Sequence, residues 1–301
     1  MFRRISIFFA LIFSFAAFGA QPPQLLVTTL NCYFFFGGGE TKKNFEQPKT
    51  AQEYWKKTAN LVNLLPTNAP FFIGLQEIGR ARDVVNFSQI ATARYKCAYK
   101  PIFAQGKDTF TSQDVAALVR ADLGWDFSRK PGRDPDLDKA LSKHLVVSVT
   151  NSWTALEICV VHLRRAIGPG GTEKQKAQNE ALAAWAKKIL RQNTNANLII
   201  LGDFNETKSV GDTAQSLAVL FQTKPPLHDA FEFFKGTPRT HAYGKAYDRI
   251  IISESLTHGA AGLKLDGISI RGHPRGKGAD KLWWTDHFPV TVALKFVQKQ
   301  N

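Results

Sequence analysis

The chain has 301 residues, of which 39 are Lys or Arg and 25 are Asp or Glu, so its formal charge is +14. This length allows one large domain or two ordinary ones. The positive charge favours an anionic partner, which is a nucleic acid, an anionic membrane surface or an acidic polymer. The three cysteines, an odd number, exclude a fully paired set of disulfides, and no Cys/His spacing suggests a zinc site.

The first 20 residues have the pattern of a secretory signal peptide. Arg3 and Arg4 precede an apolar run over residues 5–15, and small residues follow that run. We predict cleavage near Gly19 or Ala20 and a secreted or periplasmic mature protein. An uncleaved anchor is the alternative, although the apolar run is short for a membrane span. Without its two N-terminal arginines the exported part keeps 39 − 2 = 37 basic residues against 25 acidic ones, a charge of +12.

Apolar runs and turn residues divide positions 21–301 into alternating strands and helices. The first strand is predicted over residues 25–34, and the capping box Thr50-Ala-Gln-Glu53 predicts the start of a helix that ends at Pro66. Further strands are predicted over residues 71–77, 95–103, 114–119, 144–149, 155–163, 198–201, 246–253 and 290–297. Further helices are predicted over residues 80–91, from a second capping box at Thr172 to Leu190, and over residues 212–221. With no repeat and no clear linker, this order predicts a single α/β domain over residues 21–301.

Five of the predicted strands are apolar and carry an isolated polar residue at one end. These residues are Asn31, Glu77, His162, Asp203 with Asn205, and Asp248, and the pair Asp286-His287 precedes the last strand. Any one of them has an ordinary explanation, because loops must be polar. A set rich in carboxylates and without cysteine suits a hard cation such as Mg²⁺ or Mn²⁺. Together with two histidines that can donate to a phosphate, the set indicates metal-assisted phosphoester hydrolysis.

Six short motifs contain these residues. They are Leu30-Asn31, Leu75-Gln-Glu77, Val161-His-Leu163, Gly202-Asp-Phe-Asn205, Tyr247-Asp-Arg249 and Thr285-Asp-His-Phe-Pro-Val290. In their order they resemble the motifs of the endonuclease/exonuclease/phosphatase superfamily, and most of all its deoxyribonuclease-type branch. The resemblance implies a four-layer α/β sandwich, in which two packed mixed β-sheets are flanked by helices. It also implies Mg²⁺, or alternatively Mn²⁺, as the cofactor.

The resemblance further implies roles for the metal and for the attacking water. Glu77 would be the principal metal ligand, and Asn31 and Asp286 would help to hold the metal or the water. Asp203 would orient or deprotonate that water. Asn205 would bind a phosphate oxygen.

The remaining implied roles concern the phosphate. His287 would contact the scissile phosphate and would be held by Asp248. His162 would contact the phosphate from the other side and serve the leaving group. Asp114 begins a strand in the region where deoxyribonuclease-like members carry an acidic partner for this histidine. A polar strand start is the alternative reading of Asp114.

Basic and aromatic residues flank the motifs. Arg80, Arg164 and Arg165 either contact the phosphate backbone of a substrate or belong to a solvated basic surface. The basic loop at residues 271–278 and the pair Trp283-Trp284 are similar, since they either contact a nucleic acid or are structural. Five histidines match no motif and are predicted to be structural: His144, His228, His241, His258 and His273.

We therefore expect an exported, divalent-metal-dependent phosphodiesterase, an endonuclease that hydrolyses DNA or RNA. It would act as a monomer without a stable protein partner. One alternative is a phosphatase or a sphingomyelinase-type phosphoesterase that uses the same site. A second alternative is a non-enzymatic or toxin-like module on the same fold, which is disfavoured because no catalytic position is replaced.

Overall fold

The structure, a computed structural model, describes residues 24–36, 48, 50–109, 111–206, 216–272 and 285–298. The predicted signal peptide, Trp283-Trp284, most of the basic loop and the start of the helix predicted at 212–221 lie outside these residues. Within the described part of the chain, no helix has the length and apolar character needed to cross a bilayer.

Twelve strands and five helices make up the described fold. The strands are β1 (Leu25–Phe35), β2 (Phe72–Ile78), β3 (Tyr99–Ala104), β4 (Asp114–Arg120), β5 (Asp126–Phe127), β6 (His144–Thr150), β7 (Ala155–His162), β8 (Leu198–Asp203), β9 (Leu227–Asp229), β10 (Asp248–Ser253), β11 (Leu263–Ile270) and β12 (Val290–Phe296). The helices are α1 (Ala51–Leu64), α2 (Ala81–Tyr95), α3 (Gly171–Gln192), α4 (Ala218–Phe221) and α5 (Glu254–His258), with a 3₁₀ turn over Ala230–Phe233.

The strands form two six-stranded mixed sheets. The order in the first sheet is β11-β12-β1-β2-β4-β3, and the order in the second is β5-β6-β7-β8-β10-β9. Each sheet has one parallel pair at its centre, β1 with β2 and β7 with β8, and all its other neighbours are antiparallel. The strands of both parallel pairs end in polar residues. These residues therefore lie at the ends of the central strands of the two sheets.

Three apolar clusters hold the layers together. One lies between the sheets and joins residues such as Val27, Val160 and Leu201. A second packs α1 and α2 on the first sheet, and a third packs α3 and α4 on the second sheet. The arrangement is the predicted four-layer α/β sandwich, which is confirmed. Burial of apolar area in these three clusters is the dominant stabilising contribution to such a fold.

The two predicted capping boxes have different outcomes. At α1 the Thr50 hydroxyl accepts from the Glu53 N–H at 3.1 Å, and the Glu53 carboxylate accepts from the Thr50 N–H at 3.2 Å, as predicted. The capping box at Thr172 is wrong, because the N-cap lies two residues before Thr172 and α3 begins at Gly171. The residue before it, Gly170, takes a left-handed conformation with φ of 67°. Glycine adopts this conformation freely, so the turn starts the helix without a side-chain cap.

Several strand predictions also differ from the structure: the short strands β5 and β9 were not predicted, and two further differences concern β3 and β11. The strand predicted over residues 95–103 begins only at Tyr99, because α2 continues to Tyr95 and ends at a left-handed Lys96 with φ of 58°. The strand β11 was not predicted. It lies at the edge of the first sheet, and most of its residues are only half-buried, so its sequence lacks the apolar run of the central strands.

Candidate active site

Strand pairing brings the predicted site residues to one edge of the sandwich. Asn31 lies opposite Gln76 in the parallel β1–β2 pair, next to Glu77. His162 lies opposite Asp203 in the parallel β7–β8 pair. Asp203 also lies opposite Asp248 in the antiparallel β8–β10 pair. The two sheets therefore contribute side chains to one shared site.

Gly202 allows β7 and β8 to approach each other just before Asp203. Its φ is +143°, and a Cβ at this position would clash with the carbonyl oxygen of Val161 on the opposite strand. Only glycine fits such a close backbone approach. The glycine that ends the apolar run is thus required for the placement of Asp203 beside His162.

Asn31 connects the carboxylates of the two sheets. Its Nδ2 donates to Glu77 Oε1 at 3.1 Å and to Asp203 Oδ2 at 2.9 Å. Its Oδ1 accepts from the backbone N–H of Tyr33 at 3.0 Å. The reverse amide orientation would place an oxygen against two carboxylates, so these contacts fix the assignment. The side chain of Asn31 thus positions both acids.

Glu77 has an unusual backbone conformation. Its φ is +62°, and the β2–β4 register shifts at this residue, which marks a bulge. Bulges and left-handed residues redirect a side chain and are common near active sites. The redirected Oε2 accepts from Phe34 N–H at 2.9 Å and from Gln113 Nε2 at 2.6 Å. These contacts fix the orientation of the carboxylate.

Asp203 lies at the centre of the site. Its Oδ2 lies 3.7 Å from His162 Nε2 and 3.8 Å from His287 Nε2, while its Oδ1 accepts from Asn205 N–H at 2.8 Å. Burial, with a contribution from the Asp248 charge, raises the pKa of Asp203 to about 7, although His287 acts in the opposite direction. A carboxylate with this pKa can take up a proton near neutral pH.

His287 is a buried histidine that carries a positive charge at neutral pH. Its Nδ1 lies 2.8 Å from Asp248 Oδ2. Burial acts to lower the pKa of His287, but Asp248, followed by Asp203 and Asp286, raises it to about 10. The ring therefore presents a positive charge to the site.

His162, unlike His287, is neutral at neutral pH. Burial, together with the positive charges of Lys143 and His287, lowers the pKa of His162 well below its ordinary value. Its Nδ1 is buried, with no hydrogen-bond partner among the described residues. Asp114, the predicted acidic partner, accepts instead from Gly106 N–H at 2.7 Å. Burial raises the pKa of Asp114. The role of Asp114 as the acidic partner of His162 stays a prediction.

Asp286 contacts a histidine that sequence patterns assigned no functional role. His241 Nε2 lies 3.0 Å from Asp286 Oδ2, and the His241 ring packs edge-on against His287 with centroids 4.7 Å apart. Burial acts to raise the pKa of Asp286, but the hydrogen bond from His241 and the charge of His287 outweigh it and hold this pKa below its ordinary value. Asp286 is therefore a carboxylate at neutral pH.

Asn205 and the three arginines lie around this centre. Asn205 is left-handed, with φ of 51°, and its Nδ2 donates to the Leu163 carbonyl at 2.9 Å. Arg165 is exposed, and its guanidinium lies 6.0 Å from the ring of Tyr247, which in turn lies 6.3 Å from the His287 ring. Arg164 is exposed as well, and Arg80 pairs with Asp83 at 3.6 Å.

The donor set fits a hard divalent cation. The Thr285 hydroxyl donates to the Asn31 carbonyl at 2.6 Å, and the Asn31 amide donates to Glu77, so Asp286 lies beside the strand end that carries Glu77. Burial lowers the pKa of the Lys57 ammonium to about 8, and the charges of Glu77 and Asp286 act against this shift. Asp286 Oδ1 is buried without a hydrogen-bond partner among the described residues. Oxygen donors of this kind suit Mg²⁺ or Mn²⁺. Glu77 and Asp286 are therefore the residues that would hold the ion.

Among the described residues, three further groups of His, Asp and Glu side chains lie close enough together to hold a metal ion. The groups His241–Asp286–His287 and Asp203–Asp248–His287 each contain His287, which is cationic and bonded to Asp248. A protonated imidazole cannot bind a metal. In the group Glu77–His162–Asp203, His162 is neutral and free to contact a ligand.

The paired sheets and this carboxylate–histidine site define a phosphoester hydrolase of the metal-dependent class. The chain belongs to the Endonuclease/Exonuclease/phosphatase family, whose model matches residues 28–287. This family is generally dependent on divalent metal ions. No curated protein matches the sequence at a significant level.

Solved structures share the fold at low sequence identity. The human nocturnin catalytic domain, solved with a bound sulfate anion, is 17% identical with a TM-score of 0.63, over 92% of this chain and 96% of that one. TDP2 from Caenorhabditis elegans is 14% identical with a TM-score of 0.61, over 90% and 75%. The mannosyl-6-phosphatase of Bacteroides thetaiotaomicron is 16% identical with a TM-score of 0.57, over 90% and 100%.

Proposed function

We propose that this protein is an exported phosphodiesterase that cleaves DNA or RNA internally with Mg²⁺ as its cofactor. The observation that carries the chemistry is the convergence of His162 and His287 on Asp203 Oδ2, at 3.7 and 3.8 Å. Within this site Asp203 has a raised pKa, His287 is cationic and His162 is neutral. A hydrolysis reaction uses such differences to assign the base, the anion-binding group and the group that serves the leaving oxygen.

Asp203 takes the role of the base. With a pKa of about 7 it is partly ionised at neutral pH and can accept the proton of the attacking water. The cationic His287, held by Asp248, stabilises negative charge on the phosphate. The neutral His162 faces the same space with its Nε2 and contacts the phosphate near the leaving oxygen. Glu77 and Asp286 would hold a divalent ion, which would supply further charge stabilisation to the phosphate.

The charge of the chain supports a polyanionic substrate. The whole chain carries +14, and the exposed Arg164 and Arg165 follow His162 after one buried residue, Leu163. Lys and Arg side chains that neutralise phosphates supply most of the sequence-independent affinity for nucleic acids. A phosphodiester backbone fits this surface.

A plasmid-nicking assay tests the proposal. The mature protein should convert supercoiled plasmid to the nicked form with Mg²⁺ and should stop when EDTA is added. Glu77→Gln and Asp203→Asn should lose nearly all activity, whereas Asp266→Asn should retain it, because Asp266 is an exposed aspartate paired with Lys295. Intact DNA and intact RNA under all conditions, beside an active control nuclease, would contradict the proposal.

Hydrolysis of a phosphomonoester is the second candidate, favoured by the structural similarity to a mannosyl-6-phosphatase. The same site would then act on a smaller anionic substrate. Release of inorganic phosphate from sugar or inositol phosphates, or of phosphocholine from sphingomyelin, would identify this activity. Such release without any cleavage of nucleic acid would replace the first proposal by the second.

Export and oligomeric state are part of the proposal. The sequence of the first 20 residues supports secretion, and N-terminal sequencing of protein recovered outside the cytoplasm should begin near residue 20 or 21. Light scattering should give the mass of a monomer.

A further inference from the structure

His241 is a buried side chain whose two ring nitrogens both have partners. Its Nδ1 lies 3.1 Å from the backbone N–H of Tyr243, and its Nε2 lies 3.0 Å from Asp286 Oδ2. A backbone N–H can only donate, so Nδ1 is the acceptor and carries no proton. The ring proton therefore sits on Nε2 and points at Asp286. The backbone thus selects the tautomer that donates to the carboxylate.

This tautomer excludes His241 as a direct metal ligand. Binding a metal through Nε2 would move the ring proton to Nδ1, where it would meet the Tyr243 N–H. The neighbouring His287 contacts Asp248 Oδ2 through Nδ1 at 2.8 Å, and its Nε2 lies 3.8 Å from both Asp203 Oδ2 and Asp286 Oδ1. Asp286 Oδ1 has no hydrogen-bond partner among the described residues, so it is the oxygen that Asp286 can offer to a metal ion.

The segment around His241 is also bonded to the segment around Asp286. Ala242 N–H donates to the Asp286 carbonyl at 2.7 Å, and Phe288 N–H donates to the Thr240 carbonyl at 2.7 Å. These bonds form an isolated bridge between His241 and His287. These backbone bonds therefore hold the segments that carry His241 and Asp286 side by side.

We propose that His241 is a positioning residue, which holds Oδ2 of Asp286 and keeps Oδ1 available to the metal ion. This inference rests on the proposed metal-dependent function. Hydrogen bonds to a metal-binding carboxylate typically change metal affinity or activity about 10- to 100-fold when they are removed. The arrangement assigns a function to a histidine that matches no motif of the sequence.

Substitutions of His241 that place a hydrogen-bond donor at different positions distinguish a positioning role from a packing role. In His241→Gln the Nε2 amide occupies nearly the place of the imidazole Nε2, so Mn²⁺ affinity should stay within about threefold of wild type, a small part of the usual effect of such bonds. In His241→Asn the amide reaches only the place of Nδ1, and in His241→Leu no donor is present. Both should weaken Mn²⁺ binding by about 10- to 100-fold. Mn²⁺ binding without substrate, followed by electron paramagnetic resonance and calorimetry, measures this directly.

A double-mutant cycle completes the test. In an Asp286→Asn background His241→Leu should cause no further loss of Mn²⁺ affinity, because the two residues act as one unit. His228→Leu is the matched control, since His228 also contacts a carboxylate, that of Glu232 at 3.3 Å, and lies opposite Ile252, four residues along β10 from Asp248. It should bind Mn²⁺ as wild type does. Circular dichroism checks that each variant is folded.

The possible failures are distinguishable. If wild type binds no Mn²⁺, or if Glu77→Gln binds it normally, the proposed metal site is wrong and the inference falls with it. If Glu77→Gln abolishes binding but the Gln, Asn and Leu variants of His241 are equal to one another, the inference alone is wrong. Equal losses from His241→Leu in the wild-type and Asp286→Asn backgrounds would also overturn it.

Discussion

Asp203 and Asp248 lie directly opposite each other across the antiparallel β8–β10 pair. Both side chains are almost completely buried. Two buried carboxylates at this spacing would repel each other, and His287 relieves the repulsion because it bonds Asp248 at 2.8 Å and lies 3.8 Å from Asp203. One carboxylate is thus neutralised by a fixed cation, while the other keeps a raised pKa and can act as a base.

Asp203→Asn should lower turnover of the phosphoester substrate by about 10²- to 10⁴-fold, the usual contribution of a general base. It should also change the stability of the metal-free protein. The pKa of Asp203 is raised from 3.8 to about 7, so the folded state binds the proton more tightly than the unfolded state does. The free energy of unfolding therefore falls as pH rises from about 4 to 7 in wild type, and the variant should lose this slope. Chemical denaturation in EDTA measures it, and an unchanged slope would contradict the assignment.

The Asp248–His287 pair should lose stability in the same direction, but over a higher range of pH. The pKa of His287 is raised from 6.5 to about 10, so the stability from this pair is fully present below pH 6.5 and is lost as pH rises towards 10. Histidine NMR should find His287 protonated at pH 8 and His162 neutral at pH 6.5. Asp248→Asn should lower the pKa of His287 and flatten the alkaline loss of stability. A neutral His287 at pH 8 in wild type would exclude its proposed charge.

Gly202→Ala should destabilise the fold by more than about 3 kcal/mol, among the larger effects of a single substitution. The added methyl group meets the Val161 carbonyl, and the φ of +143° is strained for alanine. Gly267→Ala is the matched control, because a Cβ at Gly267 meets no atom within 4 Å. Thermal and denaturant unfolding compare the two variants. Equal stability of both would show that the close approach of β7 and β8 is not required.

Replacing Arg164 and Arg165 together by alanine should weaken nucleic-acid binding and reduce its salt dependence, by about one unit of slope for each phosphate that an arginine no longer neutralises. Catalysis at saturating substrate should change little. Arg191→Ala is the control, because Arg191 is also exposed but lies far along the same helix. In α3 it follows Gln175 by 16 residues, which is about 24 Å. Gln175 lies near the site, since its side chain donates to the Asn205 carbonyl. Equal salt slopes in both variants would assign Arg164 and Arg165 to an ordinary solvated surface.

Much of the site could be predicted because it depends on strand ends. The apolar runs before Glu77, His162 and Asp203 are long and buried, so the sequence marks both the strands and the polar residues that end them. The four-layer fold follows from the same runs together with the family resemblance. Roles of single residues are a separate matter, and those stay predictions until the variants are measured.

Other parts of the site depend on geometry that sequence patterns do not encode. Gln113, and not its neighbour Asp114, contacts Glu77, because the bulge at Glu77 shifts the register of β2 and β4. His241 lies in a loop with no periodicity, and only the bridge to His287 brings it to Asp286. The edge strand β11 is half-exposed, so the apolar signal that marks central strands is absent.

The order of the strands in the chain has a consequence for biogenesis. The strands of the second sheet, β5 to β10, are contiguous in sequence, whereas the first sheet takes β1 to β4 from before them and β11 and β12 from after them. While the chain emerges from the ribosome, β1 therefore keeps one unpaired edge until Val290–Phe296 has been synthesised and inserted. Asp286 and His287 arrive with that same segment. The hydrolytic site is thus completed last, and a nascent chain is inert until its final strand closes the sheet.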